Sequence, residues 1–221
     1  MSVETGAPRD MLAAHPETAY FWGRVAADGE CEAGCVTVRT NDETAARRLT
    51  TIAGGERADE RIVEREYAHD TALTRREEEY TVQVLGTLSD RASAALGLPF
   101  EGTAGGYRFD AIAEHDRQLL RGLLEGCGTV CLKSDEPAVG ISFVHEDEDL
   151  LRTIQSILDR IPVEAPHDDL AAASSGHWFG IADAAAPEFG EWLYEGSEES
   201  GLFAPSRRRK LQGSIDRVRD S

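Results

Sequence analysis

The sequence predicts an α+β fold of two equivalent αββαββα halves, joined as a pseudo-twofold monomer. Three observations lead there. Residues 21–29 and 120–128 both read as helix, and both carry small residues four apart: Gly23 and Ala27 in the first, Gly122 and Gly126 in the second. Positions i and i+4 stack on one face of a helix. Glycine inside a helix costs about 1 kcal/mol relative to alanine, so notches at matching places imply that another backbone comes very close. The second observation is register: Gly23 stands as far from Gly122 along the chain as Ala27 does from Gly126, which predicts paired helices with like residues opposed. The third is that the same order of helices and strands follows each stretch.

The elements follow in order. Pro16 is tolerated in a first turn and opens a helix that runs to about Asp28. Residues 30–40 form a tight hairpin turning at Ala33 and Gly34. Asp42 caps a helix through Ile52, which Gly54 and Gly55 stop. Residues 61–69 and 79–85 alternate enough to pair as strands, and 89–96 is a short helix closed by Gly97 and Pro99. A linker at 102–112 then divides a first repeat (13–101, after a tail at 1–12) from a second (113–221). In the second repeat the hairpin is 129–133 with 139–144, around residues 134–137. Residues 146–160 form a helix with Leu150, Leu151, Ile154, Ile157 and Leu158 at core spacing. Residues 170–175 read as loop or helix, 177–181 as strand and 187–194 as helix. Pro205 opens a last polar helix to about Val218.

The two glycine-notched stretches resemble the LAGLIDADG motif of homing endonucleases. The likeness extends to the tandem order of flanking elements and to the close of the chain, where a helix with Leu193-Tyr194 precedes a basic Arg209-Lys210. It covers nearly the whole chain as two repeats. It implies paired central helices and an antiparallel, saddle-like sheet that straddles double-stranded DNA. In that family the last acid of each motif sits at the foot of its helix and binds the divalent metal that activates water for phosphodiester cleavage. Carried over, those positions are Asp28 and Cys127. Mg²⁺ prefers hard oxygen ligands, and a thiol is a poor substitute. Glu125, two residues earlier on another helix face, is a poor rescue. The resemblance leaves three readings open: a cleavage-defective nucleic-acid-binding or regulatory module, an active Mg²⁺-dependent endonuclease or nickase using Asp28, or a cysteine-ligated metalloprotein on the same fold.

Composition bounds these readings. Apolar residues make up 41% and charged residues 29% of 221, which is globular, and the net charge is −18. Lysine occurs only at 133 and 210, so arginine supplies nearly all of the 23 basic residues. Such an acidic, lysine-poor chain points to a cytoplasm of very high salt, where acidity serves solubility. In molar salt the repulsion of DNA is screened within a few ångströms and counterion release shrinks. The charge therefore neither excludes a DNA partner nor argues for one. No apolar run approaches a membrane span, and residues 1–9 lack a signal-peptide core, so a cytoplasmic location is expected.

Candidate DNA contacts are the rare cations. Arg39 and Lys133 lie on hairpin strands that touch DNA in the family, where basic side chains meet phosphates or base edges; the plainer reading is a solvated strand residue. Arg75 and Arg76 form one dense basic cluster. Arg207, Arg208, Arg209 and Lys210 form the other, which matches the family's terminal basic pair near the cleavage centre. Against strong binding, the first hairpin is short and carries Glu30 and Glu32.

The four cysteines, Cys31, Cys35, Cys127 and Cys131, all fall near the feet of the paired helices. Two Cys-x₃-Cys pairs converging on an axis would make a four-thiolate site for Zn²⁺ or an iron–sulfur cluster. Strand alternation would place Cys31 and Cys35 on one face. The plainer reading is cysteine as a small buried hydrophobe. No two histidines share metal-ligand spacing, and the chain carries no phosphate-cradling glycine loop or nucleophile elbow.

Overall fold

A computed structural model describes residues 8, 10–67, 70–133, 138–174 and 176–220, with the backbone alone at 57, 58, 64–67 and 70–77. The first half runs α1 (Pro16–Asp28), β1 (Gly29–Glu32), β2 (Cys35–Thr40), α2 (Glu43–Ala53), β3 (Glu56–Tyr67), β4 (Asp70–Leu85) and α3 (Leu88–Leu96). After a 3₁₀ stretch (Phe109–His115), the second half repeats the order. It comprises α4 (Asp116–Cys127), β5 (Gly128–Leu132), β6 (Val139–His145), α5 (Glu148–Leu158), β7 (Ala171–Ala173), β8 (Gly176–Ile181) and α6 (Ala186–Tyr194). A one-turn α7 (Ser197–Ser200) and α8 (Pro205–Arg219) complete the described chain. The sheets share one antiparallel topology, β1-β2-β4-β3 and β5-β6-β8-β7.

α1 and α4 cross at their glycines, and the crossing is reciprocal. A Cβ built on Gly23 would lie 3.2 Å from the Gly122 Cα and closer still to the Leu119 carbonyl oxygen. One built on Gly122 would lie 2.9 Å from the Arg24 amide nitrogen and closer still to the Tyr20 carbonyl oxygen. One on Gly126 would collide with the Ala27 methyl. Each residue thus meets its counterpart in the other repeat, as an approximate local twofold requires. Around the crossing, Tyr20, Phe21, Trp22, Leu119, Leu120 and Leu123 are wholly buried in one core that draws on both halves. Each such apolar side chain contributes about 1.5–3 kcal/mol.

Local chemistry explains the boundaries. Pro16 occupies the first turn of α1. The Asp42 carboxylate accepts from the Ala45 amide at 3.1 Å, and Gly54 ends α2 in the left-handed region, which glycine enters without strain. In α5 the five residues expected to be core are all buried.

Three expectations need correction. Residues 171–173 form strand β7, not loop or helix: pairing with β8 in the register Ala171↔Trp178 and Ala173↔Gly176 overrides alanine's helical preference. Gly176, at φ +119, makes the reversal. β3 and β4 are far longer than expected, paired from Glu56↔Gln83 to Tyr67↔Asp70. Among the described side chains of this pair only Tyr80, Val82 and Val84 join the core, and Ile62 is 70% exposed, so burial does not mark the hairpin there. The 3₁₀ stretch and α7 had no clear signal. The expected strand end at His69, the turn at 134–137 and Ser175 lie outside the described residues.

Candidate functional site

The paired helices bring their C-terminal feet together, and both chains leave directly into strands. Asp28, the last residue of α1, is exposed. Cys127, the last of α4, is half-buried, and its Sγ lies 3.4 Å from the Leu123 carbonyl as a donor. Burial, with the Asp28 carboxylate adding to it, pushes the Cys127 thiol up to about 12, against the pull of Arg24 and Arg207. Cys127 is therefore a neutral thiol at neutral pH. Arg207 is the basic residue of the C-terminal cluster whose charge reaches this junction. Helical spacing could have singled it out, because Leu211, four residues on, is buried. Lys210 and Arg209 lie on an exposed part of α8.

Glu125 does not stand in for the missing acid. It points into the interface between the repeats, 4% exposed. Its carboxylate accepts from the Tyr20 hydroxyl at 2.7 Å, the Tyr194 hydroxyl at 3.1 Å and the Ala204 amide at 2.9 Å. Burial raises its pKa, opposed chiefly by Arg24. Beside it, buried Arg121 donates to the carbonyls of Leu193 at 2.8 Å and Leu202 at 2.9 Å. That contact ties the end of α6 to α4.

A divalent metal of the kind the fold implies does not fit this donor set. One carboxylate faces a protonated thiol, and the nearby acid is engaged by three donors. Among the described residues no three His, Cys, Asp or Glu side chains lie close enough to hold a metal ion. The four-thiolate site is also not assembled among them. Cys31 is opposite Val36 and Cys35 opposite Glu32 across a two-residue turn. Facing residues share a sheet face, so Cys31 points into the core and Cys35 out of it. Alternation does not apply, because the two cysteines sit on different strands. Cys131 is exposed on the outer face of β5, whereas Cys31 is buried.

The outer faces of the sheets are open, and three of their described cations are engaged. Arg39 donates to both carboxylate oxygens of Glu30, at 3.2 and 3.3 Å. Arg61 donates to Glu79 at 2.9 Å, and Lys133 to Asp183 at 2.7 Å. On α8, Arg208 bonds Glu198 at 2.5 Å and lies over the Phe203 ring. The side chains of Arg75 and Arg76, far along the β3–β4 hairpin, lie outside the described residues. The Arg39–Glu30 pair is 33% and 52% exposed, so Glu30→Gln is expected to change stability by less than about 1 kcal/mol. The urea midpoint measures this.

Twin sheets hung from glycine-crossed helices define a double-repeat LAGLIDADG-type fold. Over residues 1–221 the sequence matches the family described as "Putative archaeal homing endonuclease", and the chain belongs to that LAGLIDADG family. No curated protein matches it. The fold is similar to that of the homing endonuclease I-WcaI bound to its DNA recognition sequence, with TM-score 0.57 and 8% identity over 90% of this chain and 87% of that one. It is similar to full-length DUF199/WhiA from Thermatoga maritima, with TM-score 0.53 and 14% identity over 98% of this chain. The chain spans 62% of that WhiA chain. I-DmoI in complex with DNA and Ca is similar with TM-score 0.50 and 13% identity, over 90% of this chain and 97% of that one. At these identities the likeness speaks to the fold alone. Among the described residues no helix is long and apolar enough to cross a membrane.

Proposed function

We propose that this protein is a cleavage-defective LAGLIDADG protein that binds nucleic acid through its saddle, as a binding or regulatory module in a high-salt cytoplasm. The observation that carries this reading is Cys127, a half-buried neutral thiol at one of the two helix feet where hydrolysis needs a carboxylate. Metal-assisted cleavage needs hard ligands on both sides of the junction, and only Asp28 remains. The twin antiparallel sheets support a double-stranded DNA partner, because I-WcaI, similar in fold, is bound to its DNA recognition sequence. Arg39 and Arg61, already paired with Glu30 and Glu79, make weak phosphate contacts, so recognition leans on shape and base edges.

A plasmid library incubated with the protein and Mg²⁺ or Mn²⁺ in molar salt is expected to show no double-strand cuts and no nicks, while duplex targets are retarded on native gels. Nicking that disappears in Asp28→Ala would overturn the proposal in favour of a nickase.

A further inference from the structure

The two outer sheet faces differ in chemistry. On the first, Arg39, Arg61, Glu30 and Glu79 form paired charges. The second carries small residues around one aromatic side chain. Register places Thr129, Cys131, Gly140, Ser142, Trp178 and Gly180 on one face. A trough of about 460 Å³ runs across it, bounded also by Lys133, Asp168 and Asp183. That is within the size range of small-ligand sites, about 300–1,000 Å³.

Trp178 is 38% exposed. A Cβ on Gly180 would lie 3.1 Å from an Asp168 carboxylate oxygen and 3.7 Å from the Trp178 indole. The absent side chain therefore leaves open the space that both groups border. Asp168 is held by backbone: its amide donates to the Gly180 carbonyl at 2.9 Å, and its carbonyl accepts from Gln155 at 3.0 Å. At the other end, a Cβ on Gly140 would lie 3.4 Å from the Lys133 side chain, whose ammonium Asp183 holds at 2.7 Å.

We propose that this trough binds an unpaired guanine of a nucleic-acid strand, stacked on Trp178 with its Watson–Crick edge on Asp168. A flat platform, one fixed carboxylate and one tethered ammonium call for a ligand with a π-face, adjacent N–H donors and an anion. Guanine meets the first two demands: its N1–H and N2–H₂ both point at a single carboxylate, whereas adenine offers only its 6-amino group there and thymine only one N–H. The strand's phosphate meets the third by sharing Lys133, one of whose three ammonium hydrogens Asp183 already takes. The proposal rests on the saddle reading, which it deepens. In an acidic protein whose described saddle cations Arg39, Arg61 and Lys133 are already paired, affinity draws on stacking and base edges, which salt screens least.

The test titrates the full chain, in molar KCl, with oligothymidylate strands carrying one central guanine, adenine or cytosine. Anisotropy of a labelled strand reads affinity, and tryptophan emission reads contact, with half-buried Trp192 and wholly buried Trp22 giving the background that Trp178→Leu retains. The guanine strand is expected to quench most and bind tightest. Trp178→Leu should weaken it roughly tenfold, Trp178→Phe should retain most of the affinity, and Asp168→Asn should abolish the preference for guanine over adenine. Thermal melting confirms that each variant is folded. Equal binding of all three strands, or a folded Trp178→Leu variant that binds guanine as the wild type does, overturns the proposal. Wild-type binding to a fully paired duplex, measured alongside, reports separately on the saddle reading.

Discussion

Alanine in place of Gly122 is expected to destabilise the protein by roughly 3 kcal/mol, near the upper end of what overpacking usually costs. The added methyl would sit 2.9 Å from the Arg24 amide nitrogen and closer to the Tyr20 carbonyl oxygen. Both are backbone atoms of α1 and have no rotamer to move to, so the helices themselves must separate. Separation opens the core around Leu119, Leu120 and Tyr20, all of them wholly buried. Against a total of about 5–15 kcal/mol for an ordinary domain, that is a large fraction. Gly213 supplies the control. It lies in α8 with nothing within 4 Å of an added Cβ, so Gly213→Ala is expected to stabilise by about 0.5–1 kcal/mol. Urea midpoints of the two variants should fall on opposite sides of the wild type. If Gly122→Ala unfolds at or above the wild-type midpoint, the close helix crossing is wrong.

That crossing was legible because helix-interior glycine is costly, and a costly residue repeated at equal intervals demands a reason. Asp28 and Cys127 were readable for the same cause: they close the two notched stretches. The length of the β3–β4 hairpin was not, because periodicity reports burial and its described side chains at 59–62 and 78 are exposed. Glu125 read as a poor rescue for the motif acid, and its structural role was not legible. Its partners, Tyr20, Tyr194 and Ala204, are remote in sequence, and nothing local marks it as an interior acceptor. Trp178 could have been found. Phe179 and Ile181 are two apart in a strand and both buried, which places Trp178 on the opposite, outer face. The cysteines failed on turn geometry, since a two-residue turn resets the alternation that a single strand would keep.

Glu125→Ala is expected to cost about 3–5 kcal/mol, the range for removing one partner from a buried ionic network. It strands three donors at once: the hydroxyls of Tyr20 and Tyr194 and the amide of Ala204. The same deletion releases the segment leading into α8 from the helix pair. Glu125→Gln separates charge from most of the hydrogen bonding: its amide oxygen can still accept from Tyr194 and Ala204, its NH₂ can donate to the Tyr20 hydroxyl, and the side chain stays neutral. Burial raises the Glu125 pKa in the folded protein. Between the ordinary carboxylate range and that raised value, the folded state holds more protons than the unfolded one, so stability falls as pH rises. The contribution is fully present below the unfolded pKa and lost as pH climbs through the folded one. Glutamine cannot titrate, so the urea midpoint of Glu125→Gln should gain on that of the wild type from acid to neutral pH. The other carboxylates titrate in both proteins and cancel. A difference that stays constant, or moves in favour of glutamate, would mean that Arg24 and the three donors outweigh desolvation, and that the junction is built around a stable buried anion.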